Sequence, residues 1–209
     1  MNLIDAVIIE ATDTAAAESF YATAFGLDSQ QIRVRAAQAP STGFRGFSLA
    51  LTVAQPADVD SLFASAVEAG ATVLKPAVKG LWGYGGVLRA PEGTIWKIAT
   101  SAKKNTGPAT RHIDEMVLLI GVADVAATKK FYVERGLTVG KSFGSRYVDF
   151  EGAPGHLKLA LYRHKALAKE VGVSPEGSGS HRIVLAMGDE GFSDLDGFVW
   201  EAAATASAE

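Results

Sequence analysis

The chain contains no cysteine. That excludes disulfides, thiolate metal sites and cysteine nucleophiles, and it fits a reducing compartment, so a cytoplasmic setting is the expectation. An excess of positive charge is missing too: 20 Lys and Arg face 23 Asp and Glu, a net charge of −3. No basic field exists to draw in nucleic acid or an anionic membrane, and neither is expected as a partner. No apolar run approaches the roughly 20 residues of a membrane span. The stretch from Met1 to Asp13 carries charges inside its apolar part, which is not the pattern of a signal peptide. Gly-x-Ser-x-Gly, Walker and Rossmann patterns are missing. Gly83-Tyr84-Gly85-Gly86 has the glycines of a phosphate loop but neither the following Lys nor the helix start. What remains is an ordinary globular composition, with 209 residues, 48% hydrophobic and 21% charged, long enough for one or two domains with a real core.

What is present is an internal echo. Pro91-Glu92-Gly93-Thr94-Ile95-Trp96-Lys97 returns as Leu195-Asp196-Gly197-Phe198-Val199-Trp200-Glu201. Both are an acidic-Gly turn feeding a strand that ends in Trp and a charge. Ser19-Phe20-Tyr21 with Gly26-Leu27 returns as Lys130-Phe131-Tyr132 with Gly136-Leu137. Two landmarks, each used twice and about 105–110 residues apart, define a repeat, and a repeat governs the whole fold reading.

The chain divides into four pieces. The first predicts a strand over Ala6–Ala11, a helix capped by Thr12 or Asp13 and closed by Gly26, and a short strand over Gln31–Arg35. Residues 38–46 read as a loop. The second is complete: a period-2 strand over Ser48–Val53, an amphipathic helix over Asp58–Ala69, then strands over Thr72–Ala77, Gly85–Ala90 and Thr94–Thr100. Its order is βαβββ. Residues 101–111 are polar with a Gly-Pro and read as a linker. The third piece repeats the order, with a strand over Glu115–Val122, a helix over Val125–Arg135, and strands over Thr138–Phe143, Arg146–Phe150 and His156–Arg163. Residues 164–179 hold a turn of helix and a Ser-Pro-Glu-Gly loop. The fourth piece is cut down to two strands, Arg182–Met187 and Phe198–Ala202, and the tail from Ala202 to Glu209 reads as frayed. The domain division is 1–101, a linker at 102–111, and 112–209, with the first and last modules shortened.

These repeated motifs resemble the vicinal oxygen chelate superfamily, which includes glyoxalase I, bleomycin-resistance proteins and extradiol dioxygenases. The matching residues are Asp13, Phe20-Tyr21 and Gly26-Leu27; their copy at Asp124, Phe131-Tyr132 and Gly136-Leu137; the phrase Trp82-Gly83-Tyr84-Gly85-Gly86; and the two acidic turns at 90–93 and 194–197. The resemblance covers nearly the whole chain. It implies an α+β fold of tandem βαβββ modules that form curved mixed sheets, with helices on the convex face and a ligand in the concave cup.

Period-2 alternation sorts the strand residues between the two faces. Large side chains are expected against the helices: Leu49, Leu51, Val53, Trp96, Ile98, Leu157, Leu159, Leu161 and Trp200. The other parity lines the cup with Ala6, Ile8, Glu10, Ser48, Ala50, Thr52, Ile95 and Lys97, then Val117, Leu119, Lys158, Ala160, Tyr162, Val199 and Glu201. A one-residue slip would put both tryptophans in the cup. Phe20, Tyr21, Phe131 and Tyr132 read as core.

The resemblance implies, in metal-dependent members, a His or Gln on the first strand of each module and a Glu on the last. The matching positions here are Ala6, Ser48 and Lys97 in one half, and Val117, Lys158 or Ala160, His181 or Arg182, and Glu201 in the other. At best His181 and Glu201 remain, too few for zinc, nickel, iron or manganese. The expected function is therefore metal-independent binding of a small organic ligand in the cup, of the bleomycin-resistance kind. Glu10, Ser48, Lys97, Lys158 and Tyr162 would line the ligand, with Lys97, Lys158 and Glu201 orienting it and Trp82 and Tyr84 stacking on it, while in an enzyme Glu201 is the candidate catalytic residue, a general base. The first alternative is a metal-dependent glyoxalase, lyase or dioxygenase. The second is a structural or regulatory module whose cup has closed. His112, His156 and His164 are scattered and read as bland. Incomplete modules leave sheet edges that suit a homodimer.

Overall fold

A computed structural model describes residues 4–81, 83–152 and 157–203. The first piece is β1 (Ala6–Ala11), α1 (Thr14–Phe25) and β2 (Arg33–Ala36). A short β3 (Ser41–Gly43) follows where a loop was expected, because it pairs with a later strand. The second piece is β4 (Phe47–Thr52), α2 (Pro56–Glu68), β5 (Thr72–Gly80), β6 (Gly83–Arg89) and β7 (Ile95–Thr100). The third is β8 (Glu115–Val122), α3 (Val125–Glu134), β9 (Val139–Phe143), β10 (Tyr147–Phe150) and β11 (Lys158–Arg163). Then come α4 (His164–Val171), β12 (Gly177–Gly179, the partner of β3), β13 (Ile183–Ala186), β14 (Phe192–Ser193) and β15 (Val199–Glu201).

Local chemistry explains where the helices start and stop. The Asp13 carboxylate accepts from the Ala16 N–H at 3.0 Å, and Asp124 accepts from Ala126 and Ala127 at 2.9 and 3.2 Å. Each satisfies N–H groups that the first helical turn leaves without partners. Gly26 closes α1 with φ 71°, a left-handed conformation that suits glycine. Pro56 opens α2 at its first turn, where a missing N–H costs nothing.

The strands make two main sheets. The larger has the order β5-β6-β7-β4-β8-β11-β10-β9 and the smaller β14-β15-β13-β1-β2. In every piece the first strand lies parallel to the last: β4 to β7, β8 to β11, β1 to β2 and β13 to β15. The small sheet therefore follows the plan of the large one with strands removed. β14-β15-β13 correspond to β6-β7-β4, and β1-β2 correspond to β8-β11. Among the described residues the counterparts of β10 and β9 beyond β2 are missing, as are those of α2 and β5. The inner pieces join antiparallel through β4 and β8, the outer pieces through β1 and β13. Each sheet thus takes one piece from either side of residues 102–111.

One hydrophobic core unites the helix-facing sides of both sheets with α1, α2 and α3. Leu49, Leu51, Val53, Ile98, Leu157, Leu159 and Leu161 all lie in it, and Trp96 and Trp200 are 0% and 1% exposed. The expected parity holds. Two matching clamps tie the pieces together. The Tyr21 hydroxyl on α1 donates to Glu92 Oε1 in the β6–β7 turn at 2.6 Å, and its ring lies 5.6 Å from Trp96. The Tyr132 hydroxyl on α3 donates to Asp194 in the β14–β15 turn at 2.5 Å, with its ring 5.3 Å from Trp200. Phe20 is buried as expected, while Phe131 is half-buried beneath the Arg135 guanidinium.

The stretch at 101–111 is bound along α2. Buried Gln55 accepts from the Thr106 and Gly107 N–H groups at 2.7 and 3.0 Å and donates to the Pro108 carbonyl at 2.9 Å. Buried Asp58 accepts from the Thr110 N–H and hydroxyl at 2.6 and 3.2 Å. Among the described residues no helix is long and apolar enough to cross a membrane.

Two predictions follow from these buried groups. Burial first, then the nearby Glu92 and Asp194, holds Tyr21 and Tyr132 well above the ordinary tyrosine value of 10.0. A raised folded pKa contributes stability that is complete below the unfolded value and lost as pH rises past it. Denaturant midpoints should therefore fall steeply above about pH 10, and less steeply in Tyr21→Phe and Tyr132→Phe, each of which costs about 2 kcal/mol at pH 8. For Asp58, burial pushes the pKa up, but hydrogen bonds from Thr110 and Arg111 outweigh it and hold the value below 3.8. Its contribution is complete above 3.8 and fades as pH falls through the lower folded value. Asp58→Asn should flatten the acid limb of the same midpoint titration.

Candidate functional site

The two sheets present two concave faces, with opposite outcomes. On the large sheet the residues expected to line a cup do share one face, since Ser48 lies opposite Leu119, Ala50 opposite Lys97 and Val117, and Lys158 opposite Val117. That face is covered. Helix α4 lies in it, with Leu167, Ala168 and Val171 fully buried in one cluster with Val87, Ile95, Leu119 and Ala160. Lys97 forms an ion pair with Glu170 of α4, Nζ to Oε1 2.5 Å. Its hydrogen bond, the largest cause, holds the Glu170 carboxyl below its usual range. Lys158 pairs with Glu115 at 2.6 Å. Tyr162 packs edge-on to Tyr147 at 5.1 Å between centroids, and burial, then Glu170, raises its pKa. The Ser48 hydroxyl is fully buried without a hydrogen-bond partner.

Tyr84 does not face this cup. Its register partner is Thr100, on the face of Trp96 and Ile98, and its hydroxyl donates to Asp60 of α2 at 2.6 Å. That hydrogen bond, with burial, pushes its pKa up to about 12. The stacking wall expected from Tyr84 is therefore not formed by its ring, because strand parity turns it toward the helix. Trp82 and His156 lie outside the described residues.

On the small sheet, Glu10 and Glu201 come together on the concave face, from β1 and β15. Between them stands Arg35 of β2. Arg35 Nη1 donates to Glu201 Oε1 and Oε2 at 2.8 and 3.1 Å, and Nη2 donates to Glu10 Oε1 at 3.1 Å. Burial alone would lower the guanidinium's pKa, but hydrogen bonds to Glu201 and then Glu10 outweigh it and raise it above its ordinary value. Ser180 also donates to Glu10, at 3.4 Å. Beside this cluster Ala6, Ile8, Val184 and Ala186 form a small buried apolar patch. A groove of about 1020 Å³ runs along the free edge of β2, lined by Ile8, Arg33, Val34, Arg35 and Ala36, with Thr14 and Glu18 of α1 and the polar Ser29, Gln30 and Gln38. It lies where the large sheet carries β10 and β9.

His181 does not join Glu201. Its Nδ1 lies 2.6 Å from the Arg45 carbonyl and its Nε2 3.1 Å from the Asp196 carbonyl, while its ring stacks on core residue Phe198 at 3.9 Å. The remaining pair of potential ligands is thereby dispersed, and both nitrogens of His181 are engaged. His164 faces the Pro175 carbonyl, and His112 lies near Asp114. Among the described residues no three His, Cys, Asp or Glu side chains form a group that could hold a metal ion. At the small sheet, Arg35 stands between the two carboxylates that share a concave face, a donor set that does not suit a divalent metal there.

Arg35 and α4 are the two features that sequence reasoning missed. The alternation of Gln31–Arg35 marked a strand, but only its parallel pairing with β1 aims Arg35 at Glu10. The apolar stripe Leu167, Ala168 and Val171 was visible, but nothing local says that it folds into a cup.

Solved structures share this architecture. Glyoxalase I from Zea mays superposes with a TM-score of 0.63 at 13% identity, covering 98% of this chain and 93% of that one. A putative dioxygenase from Bacillus subtilis superposes with a TM-score of 0.58 at 9% identity, covering 99% and 90%. No protein-family model matches the sequence, and no curated protein does. The chain belongs by architecture to the proteins built of paired βαβββ modules. The fold is the one these solved structures share, paired βαβββ modules, as the repeated motifs suggested.

Arg35→Ala should lower stability by about 2 kcal/mol, between the values for exposed and fully buried ion pairs. Glu201→Gln should cost less, since Arg35 keeps Glu10. Urea midpoints at neutral pH measure both.

Proposed function

We propose that this protein binds a small organic ligand, without a metal, in the groove that runs from β2 onto the concave face of the small sheet. The observation that carries this reading is the Glu10–Arg35–Glu201 cluster. A guanidinium held by two carboxylates offsets one of their two charges and fills the room an ion would need, and the pair of carboxylates fixes its plane at the side of the groove. The groove wraps the sheet edge, with Ile8 on one face and Val34 on the other, among arginine, serine and glutamine side chains. That mixture and its size suit a ligand with an apolar body and an acceptor group. Sequestration needs affinity alone. Both Glu201 oxygens accept from Arg35, an arrangement that favours a structural carboxylate over a general base.

A second reading has its own support in the other sheet. With α4 seated on it, the concave face of the large sheet acts as a packed structural layer. The ligand contacts expected from Ser48, Lys97, Lys158 and Tyr162 then give way to packing and internal ion pairs.

The test is a thermal-shift screen of aromatic and aliphatic metabolites on dialysed protein, with metal content measured on the same sample. Compounds bearing an acceptor group should raise the Tm of metal-free protein. Ala36→Trp, which fills the groove from an exposed position, should abolish the shift. One tightly held ion per chain, or hits indifferent to Ala36→Trp, would overturn the proposal.

A further inference from the structure

Arg45 and Arg89 meet past the strand ends of the large sheet, and among the described residues neither forms an ion pair. They arrive from opposite faces. Arg45 shares the parity of Phe47 and Leu49 in the main core, while Arg89 pairs in register with Ile95 of the other face. The Arg45 guanidinium rests against Gly93, where a Cβ would come within 2.5 Å of Nη2. Nη2 donates to the Glu92 carbonyl at 2.6 Å, but Nη1 is buried with no hydrogen-bond partner. Burial lowers the Arg45 pKa; Glu92 pulls it back up, and Arg182 and Arg89 push it down again. Three like charges are thus held together at a cost that Glu92 offsets only in part.

Beside the two arginines lies a cavity of about 290 Å³, bounded on its other side by Ser41 and by the segment 173–176 that follows α4. The Phe44 N–H donates to the Glu176 carbonyl at 2.9 Å and holds that segment in place. The Ser41 hydroxyl is a second buried group without a partner. Buried donors without acceptors are costly, and two of them on residues lining one cavity mark a place for an acceptor. The cavity is distinct from the concave face. Phe44 and Val173 pack into the apolar layer that α4 completes, so that layer forms its inner wall. Its other walls are β3, the segment 173–176 and the β6–β7 turn, and the first two lie outside the βαβββ plan.

We propose that this cavity binds the phosphate group of a small molecule between Arg45, Arg89 and Ser41. A carboxylate is satisfied by one guanidinium fork, whereas a tetrahedral phosphate presents oxygens to donors on several sides. Arg45 Nη1 and the Ser41 hydroxyl are the buried donors, and Arg89 is the exposed one. Glu176 is the one carboxylate among the described lining residues, and it restrains affinity for a dianion. The remaining volume admits a small organic body. A bound phosphate ties the segment 173–176 to the acidic turn that Tyr21 clamps. This site is separate from the groove at β2.

The experiment is calorimetric titration of the full chain with inorganic phosphate, and separately with acetate, at constant ionic strength. Phosphate should bind saturably with a Kd of about 1 mM or lower. It should bind at least about tenfold more tightly than acetate. Arg89→Gln, at an exposed position, should weaken phosphate about tenfold, and Glu176→Gln should tighten it about threefold. Phosphate should also slow amide exchange over 173–179 in the wild type and not in Arg89→Gln. Ala36→Trp should leave phosphate affinity unchanged, which separates this site from the groove. Phosphate stabilises proteins in general by exclusion from their surface, so equal effects on the wild type and Arg89→Gln would overturn the site. Acetate binding as tight as phosphate would overturn the phosphate assignment.

Discussion

The structure depends on a tyrosine that reaches from the helix of one piece to the acidic turn of the next. Tyr21 holds Glu92 and packs on Trp96, and Tyr132 holds Asp194 and packs on Trp200. A basic residue ahead of the first strand completes each turn. Arg45 donates to the Glu92 carbonyl at 2.6 Å, and His181 faces the Asp196 carbonyl at 3.1 Å. These clamps join the first piece to the second and the third to the fourth. Strand pairing joins the second to the third and the fourth to the first. The four pieces thus form a closed ring of contacts in which each is held from two sides. A piece reduced to two strands and a helix has too little surface to fold alone, yet within the ring it persists.

The same ring explains what was legible in the sequence. Tyr21, Trp96 and their copies stand out because a clamp needs the same residue types wherever it recurs, so the repeat and the fold could be read directly. Strand parity was legible too, since Leu49, Leu51, Trp96 and Ile98 must all face helices. The concave faces were harder. Arg35 meets Glu10 only because β2 takes the place of a last strand beside β1, and that follows from which strands the piece has lost. Helix α4 looks like an ordinary amphipathic turn, and its target, the cup, lies on strands from two other parts of the chain. Long-range pairing leaves no local trace. Tyr84 shows the limit from the other side: an aromatic in a glycine-rich phrase suggests a ligand wall, yet its parity sends it to Asp60.

The two sheets solve one problem in different ways. A complete eight-stranded face leaves a wide apolar floor, and such a floor is stable in water only when something covers it. Here α4 covers it. The small sheet instead loses its outer strands, so its concave face shrinks to Ala6, Ile8, Val184 and Ala186 and its edge strand β2 is left free. A free edge invites association. β2 is only four residues long and carries Arg33 and Arg35, both features that discourage pairing with a copy of itself.

Charge balance decides what the small face can hold. An arginine keeps its proton at any ordinary pH, so Arg35 never leaves Glu10 and Glu201 unopposed. A divalent cation would have to expel a guanidinium hydrogen-bonded to both carboxylates and then find further ligands among arginines. A neutral organic molecule meets no such barrier. The arginine that makes this face ill suited to a metal, and the groove in which we propose a ligand, both follow from the register of a shortened module.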